Sequence, residues 1–443
     1  MIKIRIQYFT FLFGFLFLLI GCSKDDDSSG EDEQGKLKPS EESYSFIVEE
    51  TYLNHNEASR LGRNMGLASF EPTGLYVDSG IQLEVAVEQK KGQDLPTLLI
   101  GTYSRYKWTW SPKEVALRLG RNVITNRTGK DAFIYIDYGG EELDSEVKVT
   151  IKGARKAAYF ELNKTNMNTF RTALEENSFR DAMLKSNKTM VVARRAILKK
   201  YKSQDWNALL ETLDKIVDAE KDIDGLDSSS EVHIPNRNRY LLTESEDSDY
   251  WMAATWNRTF YNQENAIDFV VDNVKLTTEG WGPWHELGHQ HQQTNITWPA
   301  VGEVTVNVYS LAAQRALGQT SRLAGSDLWN EVATYMELPI ETRDFNESSL
   351  GAFFKLCMYQ QLWLHYGDAI FIGIHRKVRE EALSLTSVED KMGYFMKIAS
   401  EVSGNNLTDF FKNWGFNIND SYFNAVEALD LPNPTVDITT LTE

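Results

Sequence analysis

Cysteine is scarce in this chain: Cys22 and Cys357 are the only two in 443 residues, which excludes a disulfide scaffold. A basic excess is also missing. Lys and Arg total 46 against 64 Asp and Glu, a formal charge of −18, and this argues against nucleic acid, which is held mainly by cations on its phosphates. The apolar run from Tyr8 to Ile20 falls short of the roughly 20 residues that a bilayer crossing takes. No internal repeat and no separate carbohydrate-binding module is visible. What is present is 42% hydrophobic and 25% charged residues, an ordinary globular composition, in a length that suits two or three domains at about 150 residues each. Eleven Trp, 19 Tyr and 22 Phe exceed what a core needs and favour a surface that grips something.

Residues 1–21 have the layout of a secretory leader, with Lys3 and Arg5 ahead of the apolar run. The run ends in Leu19-Ile20-Gly21-Cys22, which resembles a bacterial lipobox. Cys22 is then the lipidated first residue of the mature chain, and acyl chains on it would anchor the protein to a lipid membrane. Loss of Lys3 and Arg5 with the leader takes the formal charge from −18 to −20. Residues 22–43 read as an acidic flexible tether, because Ser23 to Gly35 contains no apolar residue. The cluster Lys24-Asp25-Asp26-Asp27 resembles the surface-export signals of Bacteroidetes-type lipoproteins, which predicts an outer-membrane lipoprotein facing the cell surface, with a periplasmic face as the alternative.

Residues 44–152 are largely of period two. Gly74 to Val77, Ile81 to Val87, Thr97 to Ile100, Ala132 to Ile136 and Val147 to Ile151 are short strands separated by turn signals, with one helical stretch at Asn56 to Gly66. Short strands at this spacing predict a β-sandwich. Over 153–443 the period lengthens, and helices are expected at Trp206–Ile223, Ala266–Val274, Gly282–Thr294, Glu303–Leu317, Ser349–Tyr366, Ala369–Ala382 and Leu407–Trp414. The predicted class is a multidomain α+β chain: a leader, a tether, an N-terminal β-sandwich and a mainly helical domain.

His285-Glu286-Leu287-Gly288-His289 is an H-E-x-x-H. On a helix, positions i and i+4 share a face, so both imidazoles can reach one metal with Glu286 beside it. Zinc suits such nitrogen and oxygen donors, with one position left open for water. A third ligand is needed. The metzincin pattern asks for Gly and His seven and ten positions after the first His, where this chain has Gln292 and Asn295, so that class is excluded. Glu303, on a following helix behind Trp298-Pro299, fits the role. Asn307 sits one turn further on the same face, where it could orient a ligating ring.

The segment Gly280 to His289, followed by Gly302-Glu-Val-Thr-Val-Asn-Val-Tyr-Ser310, resembles the enhancin family of zinc metallopeptidases, which cleave mucin-type glycoproteins. Tyr366-Gly367 with His375-Arg376 resembles its later helical stretch, and the likeness runs from Tyr44 to about Trp414. Where members often carry a Gly-Tyr-Pro-like turn ahead of the metal helix, this chain has Met252-Ala-Ala-Thr-Trp256. The resemblance implies a zincin of gluzincin type with one Zn2+ per chain, His285, His289 and Glu303 as ligands, and Glu286 as the catalytic carboxylate. It also implies an O-glycosylated protein substrate. An oxyanion donor is needed as well; Tyr309, Tyr366, His365 and His375 are candidates, with Tyr366 preferred.

Two other classes compete with this reading: a surface zinc peptidase indifferent to glycans, and a non-catalytic glycan-binding lipoprotein. His291 is expected on the far side of the motif helix, about 200° round from His289, and without effect on the metal. His55 and His233 are read as surface or turn residues, and Cys357 as an inert core residue. Trp281, Trp284 and Trp298 pack in the core or offer a sugar platform.

Overall fold

The computed structural model describes residues 38–443. The leader, the lipobox cysteine Cys22 and most of the tether lie outside the described residues. Pro39–Glu443 form one compact unit, mixed α/β in class. No helix among the described residues is long and apolar enough to cross a membrane.

The period-two stretch forms two antiparallel sheets. One has the order Ser40–Glu49, Glu146–Gly153, Gln82–Lys91, Gly120–Thr125. The other runs Arg155–Lys156, Phe70–Val77, Ala132–Asp137, Thr97–Ile100, Lys113–Ala116. Alternation does the work in both. Leu83, Val85 and Val87 of the first sheet and Leu98, Ile100, Ile134 and Ile136 of the second are buried in one shared apolar core, as strands with one face turned inward require. The helical stretch among them covers Asn54–Arg60.

The segment after Gly153 departs from expectation. Before its helices it builds a six-stranded sheet in the order Ala158–Glu161, Asp181–Lys185, Thr189–Arg194, Tyr240–Ser245, Arg258–Asn262, Met252–Thr255. The second and third strands pair antiparallel and so do the last two; the other neighbours are parallel. A domain expected to be mainly helical therefore rests on a sheet. The physical reason lies in burial on both faces. Leu184, Val191 and Leu242 face a helical layer, while Met183, Met190, Val192 and Leu241 face aromatics of the N-terminal sheets. Strands buried on both sides read as short apolar runs with no alternation.

The helix Trp206–Ile223 forms at the predicted bounds, capped by the Asp205 carboxylate on the backbone N–H groups of Asn207 and Ala208. Its Leu209, Leu213 and Ile216 pack into the core on the sheet. The stretch expected as one helix at 266–274 is two, Asp268–Val271 and Asn273–Thr278, because extended Asp272 caps the second. The remaining expected helices are found at Trp281–His289, Gly302–Ala316, Ala352–Tyr366, Ala369–Glu381 and Thr408–Asn413. Leu328–Met336 and Val388–Ser403 are additional.

Candidate active site

Two helices make the site. Trp281–His289, with Pro283 in its first turn, lies against Gly302–Ala316 at a spacing that Gly288 sets: a Cβ there would stand 2.9 Å from the carbonyl oxygen of Val306. At this close approach His285 and His289, one turn apart, both face Glu303 in the first turn of the second helix. His285 Nε2 is 3.0 Å and His289 Nε2 3.6 Å from Glu303 Oε2, and the three donor atoms fall within 4.8 Å of one another. Zinc bonds of about 2.0–2.1 Å in a tetrahedron put ligand atoms about 3.3 Å apart, so this donor set fits that ion in both chemistry and spacing.

The tautomers follow from the surrounding amides. Asn307 gives its Nδ2–H to the carbonyl of Glu303 (2.8 Å) and so turns its oxygen to His285, whose Nδ1–H donates to it at 2.8 Å. Gln292 spends its amide nitrogen on the Gly302 carbonyl (2.6 Å) and Thr305 Oγ1 (2.7 Å), leaving Oε1 to accept from His289 Nδ1–H at 2.7 Å. Both Nε2 lone pairs are thereby free for a metal. The expected partner Asn307 is in place. Gln292 is its counterpart on the other histidine, which sequence reading passed over. The available signal was a second side-chain amide three positions after His289.

Glu286 is 8% exposed. Burial raises its pKa, against the pull of His289 and His285, and its carboxylate accepts the backbone N–H of Ala254. That bond ties the motif helix to Met252–Thr255, the edge strand of the six-stranded sheet, which Met252 also touches at Gly282. The His285 and His289 rings beside it hold Glu303 well below the usual carboxylate range. Burial disfavours charge on the His289 ring, yet Glu303 and Glu286 beside it keep its pKa above the ordinary value.

His291 does turn away from the metal group, for a reason other than helical geometry: the helix stops at His289. The ring is fully buried, its Nε2 2.7 Å from Tyr240 Oη and its Nδ1 3.2 Å from Asp224 Oδ2. Asp224 also pairs with Arg63 and, at 2.7 Å, with Arg379. Tyr309 Oη meets His375 Nε2 at 2.9 Å in the same interior. His233, expected as a surface or turn residue, does sit in a short turn, Glu231–His233, but is buried there between Arg379 and Glu380, whereas His55 is exposed.

Tyr366 is not brought to the centre, and its expected oxyanion role is corrected. Its hydroxyl donates to Asn405 Oδ1 at 2.8 Å. It closes its helix at the end where the Arg315 guanidinium packs 3.8 Å over Trp363, and Arg315 lies about 18 Å along the second helix from Glu303 at 1.5 Å per residue. Tyr309 and His375 are committed to each other, and His365 packs on Tyr366. None of the four candidates faces Glu303. Trp284 and Trp298 are core residues at 2% exposure.

With this geometry in view, residues 153–415 match the family Peptidase M60, enhancin and enhancin-like, and the chain belongs to that family. A conserved Bacillus anthracis str. Ames protein described as functionally unknown is 30% identical, with a TM-score of 0.82 over 91% of this chain and 82% of that one. The M60 catalytic domain of Clostridium perfringens ZmpC, solved in complex with the sialyl T antigen, shares the fold at a TM-score of 0.78 and 21% identity, over 90% and 82% of the two chains. Human TRPM8 channel-associated factor 1 is 24% identical over 275 residues, which is 61% of this chain. That stretch is 29% of the human protein's length.

Proposed function

We propose that the protein is a zinc-dependent endopeptidase that hydrolyses peptide bonds in O-glycosylated, mucin-like proteins. The observation that carries this reading is the convergence of His285 Nε2, His289 Nε2 and Glu303 Oε2, with each ring held by an amide and Glu286 alongside. Glycoprotein as the substrate class is supported by the family and by the sialyl T antigen bound to the clostridial neighbour.

When bound, zinc supplies Lewis acidity towards a scissile carbonyl and a more acidic water. Glu286 takes the proton of the attacking water and passes it to the leaving amine. Asn307 and Gln292 keep the rings from turning. The edge strand Met252–Thr255 offers unpaired backbone groups along which an extended substrate can lie, with Ala254 already bonded to Glu286. The two N-terminal sheets we read as a sandwich that packs on the catalytic part. We further propose that acylated Cys22 and the acidic tether hold the protein on the outer membrane, facing the cell surface.

The test is cleavage of an O-glycosylated mucin with and without a chelator, alongside Glu286→Gln. Turnover is expected to vanish with chelator and to fall by a factor of about 10² or more in Glu286→Gln, which still holds one zinc per chain. Near-wild-type cleavage by that variant would remove Glu286 from its role. Chelator-insensitive cleavage would overturn the metallopeptidase.

A further inference from the structure

Beside the metal helices, Arg322 differs from the other arginines in its surroundings. It follows the helix Gly302–Ala316 in a loop that is pinned back to it. Its backbone N–H donates to Gln314 Oε1 at 2.8 Å, and the next residue, Leu323, is wholly buried. The Arg322 guanidinium lies 4.8 Å from the centre of the Trp281 ring and 4.7 Å from that of Phe353, two rings that stand 5.7 Å apart. Among the described residues it meets no carboxylate and donates no side-chain hydrogen bond, and no acid counters the lowering of its pKa by burial. Arg315 shows the contrast. It stacks on Trp363 in the same way, but has Gln360 Oε1 at 3.4 Å and Asp368 Oδ1 at 3.8 Å. Arg322 is nonetheless open to solvent. Aromatic rings take a guanidinium by its flat face, which leaves the fork of N–H donors at its edge.

We infer that Arg322 is a specificity residue that takes an acidic side chain, Asp or Glu, of the polypeptide being cleaved; the inference rests on the peptidase reading. The location suits that role. Trp281 precedes His285 by one helical turn, so the two share a face about 6 Å apart along the axis. A polypeptide whose scissile bond lies at the metal group comes within reach of Arg322 a few residues away, at about 3.3 Å per extended residue. A carboxylate matches the planar fork with two parallel hydrogen bonds. Part of the water around this guanidinium is already displaced by the rings, so pairing loses less hydration and gains more Coulomb energy than at a bare surface. Charge makes the residue selective. A chain of net charge −18 repels acidic segments in general, and an unmatched cation near the metal group fixes where one acid is accepted.

The experiment uses the full chain, zinc-loaded, and an O-glycosylated threonine peptide with Glu or Gln placed, in turn, at each of the three positions on either side of the threonine. Glu is expected to be preferred at one of these positions by about tenfold in kcat/KM. Arg322→Gln should lose that preference. Arg322→Glu should reverse it, favouring Lys over Glu at the same position, which an arginine of merely structural role would not do. No preference at any position, or one that survives Arg322→Gln, overturns the assignment. So does an Arg322→Gln variant that slows the Glu and Gln peptides alike. Two further peptides separate the sources of a carboxylate: one ends at the preferred position with a free chain terminus, and one carries its acid only as sialic acid. Dependence on Arg322 for either of these, with none for an internal Glu, also overturns it. Calorimetric Kd values for the same peptides on the chain carrying Glu286→Gln run in parallel. Arg322-dependent preference for Glu in binding, without chelator-sensitive cleavage by the chain with Glu286 intact, sinks only the peptidase reading. Chelator-sensitive cleavage with no preference for Glu in rate or affinity sinks only the role of Arg322.

Discussion

Behind the metal group, two buried acids show how environment decides the protonation of a carboxyl. Burial alone would push Asp224 up, but the guanidinium groups of Arg63 and Arg379 outweigh it and hold the group well below the ordinary range. Glu220 has no hydrogen-bond partner for either oxygen, and burial raises its pKa well above the ordinary value against the weaker pull of Arg63. Replacement should therefore separate them. Asp224→Asn strands two buried arginines and is expected to cost about 3–5 kcal/mol, whereas Glu220→Gln replaces a neutral acid by a neutral amide and should change stability by less than about 1 kcal/mol. Urea midpoints of the two variants check this; equal losses would contradict it. His291 adds a pH dependence. Burial, reinforced by Arg63, pushes its pKa down to about 4, while an unfolded imidazole titrates near 6.5. Between those values the unfolded chain binds the extra proton, so stability is complete above about pH 6.5 and falls as the pH drops towards 4. The loss is up to about 3 kcal/mol for such a shift. Urea titrations in chelator, which remove any contribution from metal release, should show it; a flat profile from pH 6.5 to 5 would not fit a neutral buried His291.

At the scale of elements, the site depends on how closely two helices approach. Gly288 permits the contact with Val306, and a β-branched side chain there has backbone as its nearest neighbour. Gly288→Val is expected to part the helices, lengthen the His–Glu303 distances and lower zinc affinity at least tenfold, read by competition with a chelator; unchanged affinity would show that the helices adjust without loss. The legibility of the sequence divides along the same lines. His285, His289, Glu303 and Asn307 could be read because a helix converts spacing into a shared face, and Glu303 and Asn307 repeat the four-residue step of the motif. Trp206–Ile223 was legible for the same reason, its apolar residues lining one face. Thr189–Arg194 and Tyr240–Ser245 were not, since strands covered on both sides carry no periodicity to find. Tyr366 was misjudged because a residue type suited to the chemistry says nothing about which end of a helix bundle it occupies. The fates of His291 and His233 hang on Arg63, Asp224 and Arg379, partners distant in sequence that no local pattern announces.

Across the whole molecule, the boundary near residue 152 marks a change of periodicity and not a break in packing. One face of the six-stranded sheet is covered by the N-terminal sheets. Phe70, Tyr76, Leu99, Phe133 and Tyr135 close over Met183, Met190, Val192 and Leu241 in a single apolar cluster. Polar anchors reinforce it: Arg105, fully buried, pairs with Asp181 at 2.8 Å, and Tyr106 Oη donates to the same carboxylate at 2.9 Å. Arg63, from the N-terminal part, reaches Asp224 and His291 behind the metal helix. A chain beginning at Gly153 would expose the four sheet residues, each worth about 1.5–3 kcal/mol when buried. The sum of about 6–12 kcal/mol is comparable to the whole stability of a typical domain, about 5–15 kcal/mol. It would also leave Asp181 without its arginine and Asp224 without one of its two. Residues 153–443 expressed alone are therefore expected to lack a cooperative unfolding transition and to bind zinc weakly, while the chain from Pro39 unfolds in one transition. Calorimetry and zinc titration of the two fragments decide it: a cooperative, zinc-binding 153–443 fragment would make the N-terminal sheets a separable module, and its failure would make them part of the fold that builds the metal site.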